Sequence, residues 1–402
     1  MSAVENGHTV VGLEISQTRY DLLRSGDSYI EDVTAERLAE CLATRRYLPT
    51  MSVSDCEGFD VAIITVPTPL KEGAPDLSYV EAAATQIAPL IRRGATLVLE
   101  STTYPGTTEE VLMPILEVGS GLTAGDDFYV GYSPERIDPG NKMWHFENTP
   151  KVVSGLNRQS LEKIQSFYDT IVQKTIAVSG TREAELAKIL ENMFRHVNIA
   201  LVNELAMFAA DLGVDIWESI EAADSKPFGF MKFTPGPGVG GHCLPVDPSY
   251  LSWKVERTLG VPFRFVELAN DVNSHMPEYV ARRITSSLNS IRKAVNGSKV
   301  LLLGLAYKKN TSDVRESPAI VVGKKLLEMG AVVMAVDPML AVGGFPVGIK
   351  KVELSTAIVR QADIVVILTD HDEFDWGLVS KHASLILDTR HRLSSATNVE
   401  YL

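Results

Sequence analysis

Apolar runs alternate with amphipathic stretches along the first part of the chain. HTVVGLEI (8–15), DVAIITV (60–66), TLVLES (96–101) and FYVGY (128–132) read as strands, with helices over Leu77 to Arg92 and after Pro105. Nearly uninterrupted apolar strands separated by helical patterns predict a parallel sheet covered on both faces. From Thr181 the period changes to that of a helix. Leu186, Ile189, Leu190, Met193, Val197, Ala200 and Leu201 recur at helical spacing and predict one core face, with Glu183 and Glu185 in the first turn and Gly213 past the last. Further helices are expected near 215–224 and 265–292. At Gly297 the α/β pattern resumes, with strands at the start of GSKVLLLGLAYKK, up to Asp337, and at DIVVILT (363–369) and SLILD (384–388). The expected architecture is α/β: two doubly wound Rossmann-like domains, 1–178 and 297–402, joined by a helical region, 179–296. Only MSAVENG precedes the first strand, so the first strand and Gly-rich turn of the N-terminal domain are expected to be missing. A start further upstream, or a chain without the strongest part of its nucleotide site, would each account for this.

Chemistry enters at the strand ends, where open α/β sheets bind ligands. PTPLKEG, TTYPGTT and SPERIDPGN, the last carrying Glu135, follow strands of the first domain; singly, each is also an ordinary turn. The equivalent turn of the last domain, AYKKNTSDVRES, is basic rather than glycine-rich. Lys308, Lys309 and Arg315, with a helix N-terminus, could hold a phosphate there, and Arg390 follows the last strand. Residues 235–248, PGPGVGGHCLPVDP, hold four glycines and four prolines, predicting a shaped loop around Cys243 with Asp247 four residues on. A thiol, a carboxylate and open backbone are parts of a covalent-catalysis site, whereas a lone Cys is more often a small core residue. Lys188 and Asn192 share a helix face, as a functional pair or as a solvated stripe.

Composition narrows the function classes. The 402 residues are 45% apolar and 22% charged, as in ordinary globular chains of two or three domains. No apolar run reaches the roughly 20 residues of a membrane span and no signal pattern opens the chain, so a cytoplasmic protein is expected. Three cysteines are too few and too irregular for a disulfide framework or a zinc site. The net charge of −13 argues against nucleic-acid binding.

With these residues in view, the chain resembles the UDP-glucose/GDP-mannose dehydrogenase family from Gly7 to about Leu393. The motifs are GHTVVGLEIS, VPTPL, STTYPGTT, YSPERIDPGN, ELAKILENMFRHVNIALVNELA, GPGVGGHCLPVDP and AYKKNTSDVRESPA, in the family's order. The cysteine loop, SKPFGF before it and Val246 in place of a lysine are similar to the UDP-N-acetylhexosamine branch. The resemblance implies oxidation of the C6 alcohol of a nucleotide sugar to a carboxylate with two NAD in succession. Residues 1–178 would bind NAD, 179–296 would dimerise and carry the cysteine, and 297–402 would bind the UDP-sugar, giving a homodimer.

By the same resemblance Cys243 is the nucleophile, forming a thiohemiacetal and then a thioester. Lys188 and Asn192 serve the oxyanion, and Asp247 holds a water or Lys188. Glu135 is the base for the hydrolytic water, placed with help from Thr102. Glu14 and Arg19 match adenosine-side contacts, Val66, Pro67, Thr68, Ser101 and Thr102 the dinucleotide groove, and Arg315 a contact to NAD phosphate. Gly240, Lys308 and Arg390, with Glu135, Lys188 and Asn192, match substrate contacts. His242 is expected to play a structural or substrate-shaping role rather than pair with Cys243. Pro139 stands where UDP-glucose enzymes carry a second glutamate. A UDP-glucose or UDP-N-acetylmannosamine dehydrogenase and a truncated inactive nucleotide-sugar-binding homologue are the alternatives.

Overall fold

The computed structural model covers residues 1–402 and describes all but Glu31, Pro139 and His242, and all side chains except theirs and those of Cys243 and Val342. The expectations for His242 and Pro139 therefore lie outside the described residues. The chain divides into two compact units, Met1–Glu191 and Asn192–Leu402.

The first unit is built on short parallel strands. β1 (Val10–Leu13) pairs with β2 (Tyr47–Thr50), and β3 (Val61–Ile64), β4 (Thr96–Leu99) and β5 (Tyr129–Tyr132) form a second sheet in that order. Among the described residues β1 and β3 each pair on one side only, so the two sheets stay separate. β6 (Lys151–Val153) and β7 (Thr175–Ala177) make a further parallel pair. The helices α1 (Gln17–Ser25), α2 (Ala35–Ala43), α3 (Ser78–Ile87), α4 (Met113–Ser120) and α5 (Arg158–Tyr168) alternate with these strands. Local chemistry sets their ends: Ser16, Thr34 and Asn157 accept N–H groups at the starts of α1, α2 and α5, and Gly26 and Gly121 end α1 and α4 in left-handed conformation. Helix α3 is shorter than expected because Pro89 converts its end to a 3₁₀ turn, Ala88–Leu90.

Helix α6 (Thr181–Leu212) is continuous and stops before Gly213, which takes φ +68°. The expected single core face needs correction. Ile189 and Ala200 are buried, but Leu186, Leu190 and Leu201 are exposed, in line with Phe194, Leu205, Phe208 and Leu212. The helix thus carries a second apolar stripe that is exposed on the chain.

In the second unit follow α7 (Ile216–Asp224), α8 (Cys243–Leu259) and α9 (Arg264–Ser290). The described part of the Gly/Pro stretch before the helix, up to Gly241, is a loop. From Cys243 onward the stretch is helix, so Asp247 sits on α8, contrary to the loop expectation. Pro245 falls in the first turn, where backbone N–H groups lack intrahelical acceptors anyway, and Pro248 is carried inside the helix. The second α/β region has six parallel strands: β8 (Lys299–Leu303), β9 (Val332–Val336), β10 (Lys350–Lys351), β11 (Ile364–Ile367), β12 (Ile386–Asp388) and β13 (Val399–Tyr401). Their order is β10-β9-β8-β11-β12-β13, with the reversal between β8 and β11. Helices α10 (Pro318–Glu328), α11 (Thr356–Gln361) and α12 (Trp376–His382) alternate with them. One core gathers Leu302, Val366, Leu326 and Ile284, and another Leu301, Leu303, Val365, Ile386 and Val379.

Candidate functional site

In the first unit the polar turns cluster at the carboxyl ends of the strands. Glu14, directly after β1, accepts the N–H groups of Ile15 and Ser16 at 2.9 Å through Oε1, while Oε2 lies 3.4 Å from the Tyr29 hydroxyl. Arg19 is exposed on α1, its guanidinium 5.4 Å from the Tyr29 ring centre. The turns after β3 and β4 are tied together: Ser101 donates to the Val66 carbonyl at 2.7 Å and Thr68 to the Thr102 carbonyl at 2.8 Å, with Pro67 exposed between Val66 and Thr68. These groups fit a dinucleotide, with a carboxylate for ribose hydroxyls and a hydroxyl-braced turn pair for the phosphates and nicotinamide end.

Glu185 does more than favour the start of its own helix. It reaches the turn after Pro105, accepting the N–H groups of Gly106 (2.6 Å) and Thr108 (2.8 Å) and the Thr108 hydroxyl (2.7 Å). Burial pushes its carboxyl up to about 7, against the pull of those donors. Lys188, one turn on, is only 8% exposed, and it makes no hydrogen bond or ion pair among the described residues. An ammonium this buried, with no partner among the described residues, carries an uncompensated desolvation cost. Glu135, in the turn after β5, takes the N–H groups of Arg136 and Ile137 at 2.6 and 2.7 Å on Oε1, and the Lys151 ammonium at 3.2 Å on Oε2. Lys151 did not stand out in the sequence, where PKVVSG looks like a surface lysine entering a strand.

In the second unit the Asn192 amide donates to Asp247 at 2.5 Å, both side chains buried, and accepts from Arg195. This bond joins α6 to the first turns of α8, the helix that begins at Cys243. The Gly/Pro loop is anchored upstream, where Gly236 N–H donates to Asn203 Oδ1 at 2.9 Å; Asn203 donates to Asn273 on α9. The openness expected at Gly240 and Gly241 is filled by the protein itself. A Cβ at Gly240 would lie 2.7 Å from the Tyr307 Cβ and 2.8 Å from the Glu316 carbonyl, and at Gly241, where φ is +79°, 2.8 Å from the Tyr307 ring. These glycines admit the close approach of the 307–318 segment.

That segment is the basic turn. Its cations are less free than the sequence suggested: Lys309 pairs with Asp372 at 2.7 Å and Arg315 with Asp313 at 2.6 Å, and Lys308 too is engaged. Asp337, at the end of β9, accepts the N–H groups of Leu305 and Ala306 at 2.7 and 3.0 Å and lies 3.2 Å from His371 Nε2. Burial works against its charge, but those partners outweigh it and hold its pKa below the usual carboxylate value. Asp388 grips the following turn in the same way through the N–H groups of Arg390, Arg392 and Leu393. Arg390 then donates through Nε to the Leu368 carbonyl at 2.8 Å and lies against Gly236. Burial lowers its pKa from the usual arginine value.

Three family models match in sequence: the NAD binding domain of the UDP-glucose/GDP-mannose dehydrogenase family over residues 1–199, its central domain over 182–275 and its UDP binding domain over 301–395. A UDP-N-acetyl-D-mannosamine dehydrogenase of Pyrococcus horikoshii is 36% identical over 96% of this chain and 90% of its own. The chain belongs to the UDP-glucose/GDP-mannose dehydrogenase family. As a member of that family it is an NAD-dependent nucleotide-sugar dehydrogenase with a UDP-binding C-terminal region. A UDP-N-acetyl-D-glucosamine 6-dehydrogenase of Pseudomonas aeruginosa is 38% identical over 84% of this chain and 80% of its own. Among solved structures, that of a UDP-D-ManNAc dehydrogenase from Pyrococcus horikoshii superposes with a TM-score of 0.90 at 32% identity, covering 100% of this chain and 94% of that one. A UDP-glucose dehydrogenase from Pyrobaculum islandicum gives 0.86 at 28% identity, covering 100% and 93%. Among the described residues no helix is long and apolar enough to cross a membrane.

Proposed function

We propose that this dehydrogenase oxidises the C6 alcohol of a UDP-N-acetylhexosamine to the uronic acid through a covalent intermediate on Cys243. The observation that carries the reading is the buried 2.5 Å bond from Asn192 to Asp247, which fixes an amide beside the opening turns of the helix that starts at the cysteine. The N-acetylhexosamine specificities in the names of the relatives support the substrate class. NAD, when bound, takes one hydride in each of the two oxidations. For the remaining steps the chain supplies the groups. A helix N-terminus favours a thiolate, and Cys243 holds that backbone position. Its sulfur adds to the C6 aldehyde left by the first oxidation, and the second oxidation leaves a thioester. Water then adds to the acyl carbon, the C–S bond breaks, and the products are the sugar carboxylate and the free thiol.

In this reading Lys188 and Asn192 stabilise the oxyanion, Asp247 holds the Asn192 amide, and Glu135 takes the proton of the hydrolytic water, which Thr102 helps to place. Glu14, Arg19, Val66, Pro67, Thr68, Ser101 and Arg315 serve NAD. Lys308 and Arg390 serve the UDP-sugar, and residues 1–178, 179–296 and 297–402 act as the cofactor, cysteine-bearing and sugar regions. The uncovered stripe of α6 (Leu190, Phe194, Leu201, Leu205, Phe208) supports a homodimer.

The experiment is NADH formation across a panel of UDP-N-acetylglucosamine, UDP-N-acetylmannosamine and UDP-glucose, with Cys243→Ser alongside. Oxidation of an N-acetylhexosamine and abolished acid formation in the variant are expected. A clear preference for UDP-glucose would overturn the substrate, and unchanged acid formation by the variant would overturn the covalent route.

A further inference from the structure

Lys151 opens β6 from inside the core of the first unit, its side chain 4% exposed. Burying an ammonium costs several kcal/mol unless its partners are well placed. Here they are. Glu100, just past β4, lies 2.9 Å from Nζ, Glu135 Oε2 3.2 Å, and the Pro134 carbonyl 3.2 Å, while the rings of Tyr168 and Phe146 centre at 5.4 and 5.5 Å. The Tyr168 hydroxyl donates to the same Glu100 oxygen at 2.5 Å; burial, then the Glu100 charge, push its pKa well above that of a free phenol, so it stays a donor. Burial also opposes the charge on Lys151, but Glu100 and Glu135 overcome it and the ammonium is retained. Arg136, next to Glu135, turns its guanidinium to Glu191 at 2.5 Å and to the Pro150 carbonyl at 2.7 Å. Lys151 is therefore the cation that holds Glu135.

We infer that Lys151, braced by Glu100 and Tyr168, is a positioning residue that fixes the Glu135 carboxylate for hydrolysis of the covalent intermediate. The inference rests on the reading of Glu135 as the base of that step. Three donors on two oxygens leave Glu135 no free rotation about its carboxyl bond. Alignment of a base is what general-base catalysis needs, and its loss costs about 10²–10⁴ in rate. The simpler role for Lys151 is to neutralise buried Glu100, and one variant separates the two. Lys151→Met/Glu100→Gln removes both buried charges together, which is tolerated far better than removal of one partner.

The test is rapid-mix NADH formation and intact-chain mass on Lys151→Met, Lys151→Arg and the double variant, with the UDP-sugar that the wild type oxidises. On the proposal, the Lys151→Met and double variants keep the initial NADH burst and the KM for the sugar. Their steady-state kcat falls about 10²-fold, and they accumulate a covalent acyl adduct. Lys151→Arg, which keeps charge and donors, recovers most of kcat. If Lys151→Met does not fold, the double variant carries the test. A double variant with wild-type kcat and no adduct would overturn the proposal. Glu135→Gln keeps the two failures distinct. Wild-type turnover by Glu135→Gln removes the base reading itself; adduct on Glu135→Gln with none on the Lys151 variants removes only the role of Lys151.

Discussion

The two α/β regions use the same kinds of aliphatic strand residues and end up differently. In the second unit six parallel strands form one sheet, and Leu301, Leu302, Leu303 and Ile364 to Ile367 are buried by helices on both faces. In the first unit the parallel strands β1 to β7 are divided among three sheets, and Leu48 and Ile63 remain 48% and 38% exposed. Within the first unit β4, paired on both sides, is buried throughout, whereas β1 and β3, which among the described residues pair on one side only, keep exposed positions. The region with the continuous sheet should therefore dominate stability, while the turns assigned to the cofactor sit on the more open framework.

Four measurements press on this contrast. The largest effect is expected from Gly304→Val. Gly304 takes φ +81°, and a Cβ there would lie 2.3 Å from the Thr369 carbonyl, so urea denaturation should show a loss of more than about 4 kcal/mol. Gly58 has the same φ of +81° with nothing within 4 Å, and Gly58→Ala should cost only about 1 kcal/mol. Equal costs at the two positions would show that packing around the second sheet is not what distinguishes them. Next, Leu302→Ala at the centre of that sheet should cost about 2–5 kcal/mol, and Leu48→Ala on β2 under about 1 kcal/mol.

A pH titration of stability tests the first unit alone. Glu185 is raised from 4.5 to about 7, so between those values the folded chain binds more protons than the unfolded one. Its contribution is full below pH 4.5, is lost as pH rises towards 7 and is constant above, an effect of roughly 3 kcal/mol. Glu185→Gln should flatten that stretch of the curve; an unchanged slope would place the proton elsewhere. The smallest effect is local. Amides of β1 and β2 should exchange with deuterium before those of β8 and β11, and the reverse order would contradict the contrast.

Much of this was legible in the sequence, and the exceptions have physical causes. Strand positions and the long helix to Leu212 follow from periodicity and Gly213. The start of α8 was not legible because Pro245 and Pro248 argue against helix, although a first turn accepts proline. The exposure of Leu190 and Leu201 was hidden because periodicity shows that a face is apolar without showing what covers it. Of the site, the Asn192–Asp247 bond joins residues 55 apart in sequence. Lys151 and Glu185 were missed as a core cation and as a long-range cap, since both roles depend on tertiary partners, Glu100 and Gly106, that no local pattern announces.

The carboxylate of Asp337 has a consequence for what the second sheet can recognise. In a dinucleotide-binding turn the amides after the first strand are left for the pyrophosphate. Here the amides of Leu305 and Ala306 already hold an anion that belongs to the chain. Asp337 is in effect a resident phosphate mimic. It occupies from within two amides at the position where a dinucleotide-binding turn would offer its backbone to phosphate.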